Sequence, residues 1–169
     1  MPWLTNAREL RGVTVTVRTA DEIDDVGVIA RLRRAWNEEN AGGAIDDEGF
    51  DAAFRAWWSA ERATRTFFIV SVDDRPVGMA NVKRYVRMPA AGRASAGCWG
   101  YVGNVFVLSE HRNSGVGHAL MQEIIAWAGS EDMEHLRLAP SPLSKTFYAR
   151  LGFEPGAVVE FDPPRDQPS

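Results

Sequence analysis

Cysteine and histidine are both scarce: Cys98 is the single cysteine, and three histidines are spread over 169 residues. One thiol supports neither an internal disulfide framework nor a cysteine-rich zinc site. Histidines this far apart make no metal constellation, so no metal is expected. No apolar stretch reaches 18 residues, and Met1-Pro2-Trp3-Leu4-Thr5-Asn6-Ala7-Arg8 has no basic head followed by an apolar run. Neither a membrane span nor a secretory signal is therefore expected. Basic charge is not in excess either, since 19 Lys and Arg face 23 Asp and Glu for a net charge of −4. Net charge thus gives no footprint for a nucleic acid, and none is expected as a partner. Internal repeats and low-complexity tracts are also missing. A cytoplasmic location is the default expectation.

What remains is an ordinary globular composition, 45% hydrophobic and 25% charged. A chain of this length fits one domain and buries roughly 70% of the surface that its unfolded form exposes. The expected organisation is an N-terminal extension over 1–12, one domain over 13–162, and a loose tail over 163–169 that holds three of the nine prolines.

Alternation over Val13–Arg18 predicts a strand. Thr19 or Asp21 then caps a helix in which Ile23, Val26, Ala30 and Trp36 recur near helical spacing, up to about Asn37 and before the break at Asn40-Ala41-Gly42-Gly43. A second helix is predicted from about Asp47 to Thr64, with Phe50, Ala53, Phe54, Trp57 and Trp58 on one apolar face. Thr66–Val72 reads as a buried strand, Asp73-Asp74-Arg75-Pro76 as a turn, and Val77 to about Arg87 as the returning strand of a hairpin. Met88–Gly97 reads as a loop, and Trp99–Leu108 as a strand. A helix follows from about Gly115 to Gly129, then a short strand His135–Leu138. A short helix over Ser144–Leu151 is capped by Ser144 and stopped by Gly152, and Ala157–Phe161 forms a last strand. Hairpins together with helical crossovers predict an α/β (α+β) fold with a single mixed central sheet of about six to seven strands, flanked by helices.

The most informative stretch is Val105-Phe106-Val107-Leu108-Ser109-Glu110-His111-Arg112-Asn113-Ser114-Gly115-Val116-Gly117-His118. A strand enters a glycine-bearing turn, and the turn opens a helix. A helix N-terminus leaves about four main-chain N–H groups without intrahelical partners and carries partial positive charge. Small residues there let a pyrophosphate approach the donors. Arg112 adds a positive charge at the lip. By itself the turn is equally compatible with a tight turn of no function. Two nucleotide fingerprints fit poorly: a phosphate-binding Walker loop needs Gly-Lys-Ser/Thr where Gly117 is followed by His118-Ala119. A dinucleotide turn needs a small residue where Leu120 stands.

Arg112-x-x-Gly115-x-Gly117 after a Val-x-Val strand resembles the acetyl-CoA motif of the GNAT superfamily of N-acetyltransferases. A second motif about 30 residues on, Leu136-x-Leu138 followed by Phe147-Tyr148-Ala149-Arg150-Leu151-Gly152-Phe153, resembles one found in many members. The likeness covers about residues 13–162 in element order. It implies a sheet splayed between two parallel strands, those ending at Val107 and near Leu138. The main chain of Val105, Phe106 and Val107 would pair with the pantetheine arm, while Asn113, Ser114, Gly115, Val116, Gly117 and His118 would hold the pyrophosphate through backbone N–H. Many members have Gly directly after the Arg, where this chain has Asn113. Asn tolerates left-handed backbone better than other non-glycine residues, so the turn can survive the change.

The implied reaction moves an acetyl group directly from coenzyme A sulfur to an amine. A lysine-like amine is about 99.9% protonated at pH 7, so its proton must be removed before attack. A free N–H near Val105–Val107 would stabilise the oxyanion that forms. Tyr148 sits where the family often places the group serving the leaving thiolate. Full transfer from a phenol of pKa about 10 to a thiolate of pKa about 8.5 is uphill by roughly 2 kcal/mol, so Tyr148 should act mainly as a hydrogen-bond donor. The bland alternative is packing beside Phe147.

Some relatives carry Glu on the strand before the turn. Here Tyr101-Val102-Gly103-Asn104-Val105 has no carboxylate, which leaves a water relayed through Tyr101 or Asn104. Glu38, Glu39, Asp46, Asp47 and Glu48 either attract a cationic amine or form a solvated acidic face. Ser141 stands where some relatives contact the cofactor through Asn, and is otherwise a loop serine. His111 and His118 read as surface residues, and Cys98 as a loop residue with no partner marking it as a nucleophile. Trp57, Trp58 and Trp127 read as core. Trp36 and Trp99 are either core or part of an acceptor cleft.

The expectation is an acetyl-CoA-dependent N-acetyltransferase acting on a small-molecule amine. Acetylation of a protein N-terminus or lysine is the alternative acceptor, and a non-catalytic acyl-CoA-binding sensor the alternative class. Dimers are common among such proteins, so the resemblance admits a homodimer.

Overall fold

The computed structural model describes residues 6–10, 12–20, 24–92 and 96–156. Its elements are β1 (Asn6–Leu10), β2 (Val13–Thr19), α1 (Val26–Ala41), α2 (Phe50–Glu61), β3 (Arg65–Val72), β4 (Arg75–Val86), β5 (Cys98–Val107), α3 (Val116–Ser130), β6 (Leu136–Arg137) and α4 (Lys145–Ala149), with short 3-10 turns at Arg62–Thr64, Ser109–His111 and Pro142–Ser144. The strands form one six-stranded sheet in the order β1-β2-β3-β4-β5-β6. Every neighbouring pair is antiparallel except β5 and β6, which are parallel. The chain divides into two compact units, one reaching to Ala139 and one beginning at Pro140.

The first unit is layered about β3. Its side chains alternate between the two faces of the sheet, as the period of two requires, and both faces are covered. Phe67 and Ile69 join Ile29, Ala30 and Leu32 of α1 and Phe54 and Trp58 of α2, with Met79 and Phe106 from the neighbouring strands. Phe68 meets the Trp127 ring of α3 edge-on at 5.3 Å. This explains why β3 reads as an unbroken apolar run instead of an alternating one. On α3, Val116, Ala119, Leu120, Ile124 and Ala128, spaced by one, three and four, form one buried face.

Several boundaries differ from the sequence expectation for identifiable reasons. Asn6–Leu10, read as part of an extension, pairs with β2 from Asn6↔Val17 to Leu10↔Val13. It is an edge strand exposed along nearly its whole length, so no buried alternation marks it. Thr19 ends β2 and caps nothing, and Asp21 lies outside the described residues. The N-cap position of α1 belongs to Asp25, whose buried carboxylate makes no capping bond and instead pairs with the two terminal guanidinium nitrogens of Arg18. α1 runs on past Asn37 to Ala41, where Gly43 N–H closes back on Glu38 O at 3.0 Å.

Asp73 and Asp74, both at positive φ, make a two-residue hairpin turn, so β4 starts at Arg75. Cys98 is the buried first residue of β5, not a loop residue. Trp57, expected in the core, is 36% exposed. The strand expected over Ala157–Phe161 and the tail from Pro163 lie outside the described residues.

In the second unit α4 is short and Gly152 follows it at φ +87°, as the stop signal suggested. Ser144 holds the N-cap position without capping: its hydroxyl bonds back to Ser141 O at 3.1 Å and lies 3.0 Å from Ser141 Oγ.

The packing of β4 on β5 allows no side chain at Gly78. A Cβ there would lie 2.7 Å from Phe106 O and 2.8 Å from Val70 Cγ1. Gly78→Ala should therefore cost about 1–3 kcal/mol in urea unfolding. Gly27→Ala, in the first turn of α1 with nothing within 4 Å of the new methyl, should gain up to about 1 kcal/mol. Equal effects of the two substitutions would contradict this packing.

Candidate active site

β5 pairs with β6 only through Gly100↔Leu136 and Tyr101↔Arg137, and then runs on to Val107 without its parallel neighbour. The edge of β5 from Val102 onward is thereby left free of a strand partner on that side. On its other side the β4 ladder passes from Met79↔Phe106 to Asn81↔Gly103. Ala80 alone therefore faces both Asn104 and Val105, which is a β-bulge, and Asn104 takes the left-handed conformation at φ +54°. A bulge leaves an extra residue outside the ladder and re-aims the side chains beside it.

Val105, Phe106 and Val107 thus end a strand released from its β6 neighbour. Their side chains are not free: Phe106 and Val107 are buried, and Phe106 stacks on Trp36 with centroids 5.7 Å apart. Trp36 is accordingly a packing residue, and Trp99 stacks between Tyr85 and His135.

The chain then makes the turn that opens α3. Arg112 braces it, donating from Nε to Val107 O at 2.8 Å and from Nη2 to Glu39 Oε2 at 2.7 Å. Its charge is balanced by Glu39 instead of standing alone at the lip. Asn113 is left-handed at φ +58°, the conformation anticipated for it, and Gly115 stands at φ +95° as the N-cap of α3. The Ser114 hydroxyl donates to His111 O at 2.6 Å. Val116 is buried and anchors the helix start, while His118 is exposed. The first main-chain N–H of α3 with a backbone acceptor is that of Ala119, which donates to Gly115 O at 2.9 Å. Among the described residues those of Asn113 to His118 donate to no backbone oxygen. The turn therefore presents a run of main-chain donors at the positive end of a fifteen-residue helix.

A cavity of about 350 Å³ opens beside the bulge. Phe50, Phe54 and Trp57 of α2 and Phe67 of β3 form its aromatic wall; Arg33, Asn37, Asn81 and Asn104 are its polar residues. Asn81 is 1% exposed, and its Oδ1 accepts from Arg65 Nη1 at 3.1 Å, so its amide carbonyl is already engaged. Arg33 stacks on Trp36, its Cζ 4.6 Å from the ring centre, and burial lowers its pKa.

Among the described residues no carboxylate lines this cavity. Glu38 accepts from Ile45 N, Asp47 Oδ1 from Gly49 N, and Asp46, Asp47 and Glu48 are exposed, so the acidic segment is a solvated face. Tyr101 does not line the cavity; Asn104 does.

Sequence reasoning missed Arg33, Asn37 and Asn81. Ile29, Arg33 and Asn37 are spaced by four and all line the cavity. The available signal was a pair of polar residues continuing an apolar helical stripe. Asn81 interrupts the apolar run of β4 and was equally visible.

Tyr148 and Ser141 belong to the second unit. Tyr148 is 9% exposed, its ring edge-on to Phe147 at 5.0 Å and to Phe153 at 5.8 Å, and burial raises its pKa. Ser141 is exposed and bonded only within its own 3-10 turn. Among the described residues no three His, Cys, Asp or Glu side chains gather where a metal ion could bind, and no helix is long and apolar enough to cross a membrane.

No curated protein sequence is significantly similar to this chain. Solved structures resemble it at low identity. A predicted acetyltransferase with acetyl-CoA from Clostridium acetobutylicum matches with a TM-score of 0.67 at 16% identity, over 88% of this chain and 96% of that one. A possible acetyltransferase from Clostridium difficile matches with a TM-score of 0.69 at 20% identity, over 94% and 100%. Glucosamine-6-phosphate N-acetyltransferase from Arabidopsis thaliana matches with a TM-score of 0.65 at 13% identity, over 88% and 97%. At these identities the likeness shows the fold, the mixed sheet with its one parallel pair. The model of the acetyltransferase (GNAT) family matches residues 29–153, an interval that takes in the cavity, the freed strand and the donor turn. The chain belongs to the GNAT acetyltransferase family.

Proposed function

We propose that this protein transfers the acetyl group of acetyl-CoA to the amine of a small molecule. The observation that carries the reading is the continuity of three features in one stretch of chain. The bulge at Asn104 borders the cavity, the freed edge of β5 leads away from it, and the donor turn at 113–118 ends the path. In this reading acetyl-CoA supplies the activated acyl group. Its diphosphate is held by the main-chain N–H groups of Asn113, Ser114, Gly115, Val116, Gly117 and His118, and its pantetheine arm lies along Val105–Val107. The left-handed backbone at Asn113 and Gly115 makes the turn that leaves those donors without backbone acceptors, and the Arg112 bond to Val107 O holds the turn against the strand. Ser141 is assigned a lesser contact with the cofactor.

The cavity beside Asn104 is the acceptor site. Its volume is at the small end for ligand sites, which favours a small amine over a protein chain. That a protein of the same fold is named as a glucosamine-6-phosphate N-acetyltransferase agrees with an acceptor of that size. With no carboxylate in the lining, the amine proton leaves through water held by side chains such as Asn104. Tyr148 is the donor to the departing sulfur. The missing carboxylate is also the one observation favouring a non-catalytic acyl-CoA sensor, so turnover is the deciding measurement.

Three outcomes test this reading. Acetyl-CoA should raise the melting temperature in a concentration-dependent way, and ATP and NAD should not. Gly115→Ala forces a side chain onto backbone at φ +95° and to 3.3 Å from Leu10 Cδ1. It should cost about 1–2 kcal/mol of stability and shrink the acetyl-CoA shift. Tyr148→Phe should cut turnover, followed as free-thiol release over an amine panel, at least about tenfold, with the acetyl-CoA shift unchanged. Because burial raises the Tyr148 pKa, the phenol keeps its proton beyond the usual value near 10. Wild-type kcat should therefore show no Tyr148-dependent decline between pH 7 and 10. Such a decline, absent from Tyr148→Phe, would show that the hydroxyl ionises too early for this role.

A further inference from the structure

Resting on the assignment of the cavity as the acceptor site, we propose that the acceptor is an apolar or aromatic α-amino acid whose carboxylate is held by Arg33. The cavity has two kinds of lining and both bear on its ligand. Phe50, Phe54, Trp57 and Phe67 give it an aromatic wall that takes an apolar body. Among the described residues Arg33 is its one charged residue.

Elsewhere in the unit several arginines meet acids: Arg18 with Asp25, Arg65 with Glu61, Arg84 with Glu131, Arg87 with Glu134 and Arg112 with Glu39, and Arg137, which like Arg33 lies over a Trp ring, does not line the cavity. Arg34, next to Arg33, donates to Ile45 O and Asp47 O. Arg33 has no such partner among the described residues. One face of its guanidinium rests on the Trp36 ring. Stacking of this kind leaves the N–H edge open, and that edge matches a planar carboxylate with two parallel donors.

The acids nearest in sequence are engaged elsewhere, Glu38 at Ile45 N and Glu39 at Arg112. With no carboxylate among the described lining residues, the one that completes the site comes with the ligand. Asn81 adds to the selection, because Arg65 occupies its carbonyl oxygen and leaves its NH2 end as the available group, again a donor. A purely cationic amine finds no counter-charge in this lining, whereas an amino acid brings an anion for Arg33 and an apolar side chain for the wall.

In the reaction the neutral amine nitrogen forms a bond to the thioester carbonyl carbon as the C–S bond breaks. The nitrogen gives one proton to water and the sulfur receives one. The products are the N-acetyl amino acid and the free thiol of coenzyme A.

The test compares kcat/KM for two matched pairs, L-phenylalanine with 2-phenylethylamine and L-leucine with 3-methylbutylamine. Wild type, Arg33→Gln and Arg33→Lys are assayed, and binding of L-phenylalanine to the CoA-saturated protein is followed by calorimetry. Wild type should prefer the carboxylated member of each pair at least about tenfold, the size of a charge-assisted hydrogen-bonded pair. Arg33→Gln should bring the ratio to within about threefold, mainly through KM, and Arg33→Lys should restore part of it. An unchanged acetyl-CoA thermal shift in both variants would show that the fold and the donor turn are intact. A wild-type ratio near one, or a preference that survives in Arg33→Gln, overturns the inference while leaving the transferase reading standing. Arg33-dependent binding of L-phenylalanine without turnover of any amine upholds the inference and overturns transfer. Absence of L-phenylalanine binding overturns the inference.

Discussion

The arrangement depends on one feature of strand pairing: β5 keeps its parallel partner for two residues and then loses it. A strand inside a sheet has its main-chain groups committed on both sides and offers nothing to a ligand. Here the commitment ends at Tyr101↔Arg137, yet the strand is ten residues long and reaches Val107 before turning into the helix. The remaining length is held in place from the other side by β4, which pairs with it as far as Gly78↔Val107. The bulge at Asn104 sits in the middle of this length. It adds twist where the edge becomes free and turns an amide toward the cavity, so one irregularity both shapes the strand and furnishes the site.

The donor turn is a consequence of the same layout. A strand that ends at Val107 on a sheet whose other face carries α3 must reverse within a few residues. The reversal needs left-handed backbone, which Asn113 and Gly115 supply. Val116, buried, fixes the register of the helix that follows. The N–H groups left over at the helix start are an ordinary by-product of any helix. What makes them a candidate site is their position at the end of a freed strand. The Arg112 bond to Val107 O ties the two together.

Much of this could be read from the sequence. The order of elements follows from apolar periodicity, and the turn was legible because Arg112, Gly115 and Gly117 stand at fixed spacing after a Val-x-Val strand. β1 was not legible, since an exposed edge strand such as Asn6–Leu10 needs no buried face and shows no alternation. Asp25 could not be foreseen at the start of α1: its role comes from Arg18, a partner on another element, and not from local capping chemistry. Trp57 was misplaced because helical spacing identifies a face without saying whether that face is filled. It lies on the apolar side of α2 but lines a void. Arg33 and Asn37 were overlooked for the converse reason. Polar residues on an apolar stripe look like solvent-facing positions until the neighbouring helix and strands close a cavity around them.

The charge of the cavity bears on the missing base. A lysine-like amine with a pKa near 10.4 is only about 0.04% neutral at pH 7, and a site without a carboxylate does nothing to draw off its proton. A nearby cation changes this, because like charge disfavours the ammonium form. For an α-amino acid the effect has a second part. The substrate's own carboxylate holds its ammonium protonated, and pairing that carboxylate with a guanidinium cancels the attraction. Such an amine moves toward the range of a peptide α-amino group, 7.7–8.0, where about a tenth or more is neutral at pH 7. The gain over a lysine-like amine is roughly 200- to 400-fold in reactive form, or a little over 3 kcal/mol, obtained without any protein group accepting a proton. On this argument the absence of a glutamate from the strand before the turn and the presence of Arg33 in the cavity are two sides of one arrangement: in the proposed reaction the acceptor is an amine that surrenders its proton to water once its carboxylate is neutralised.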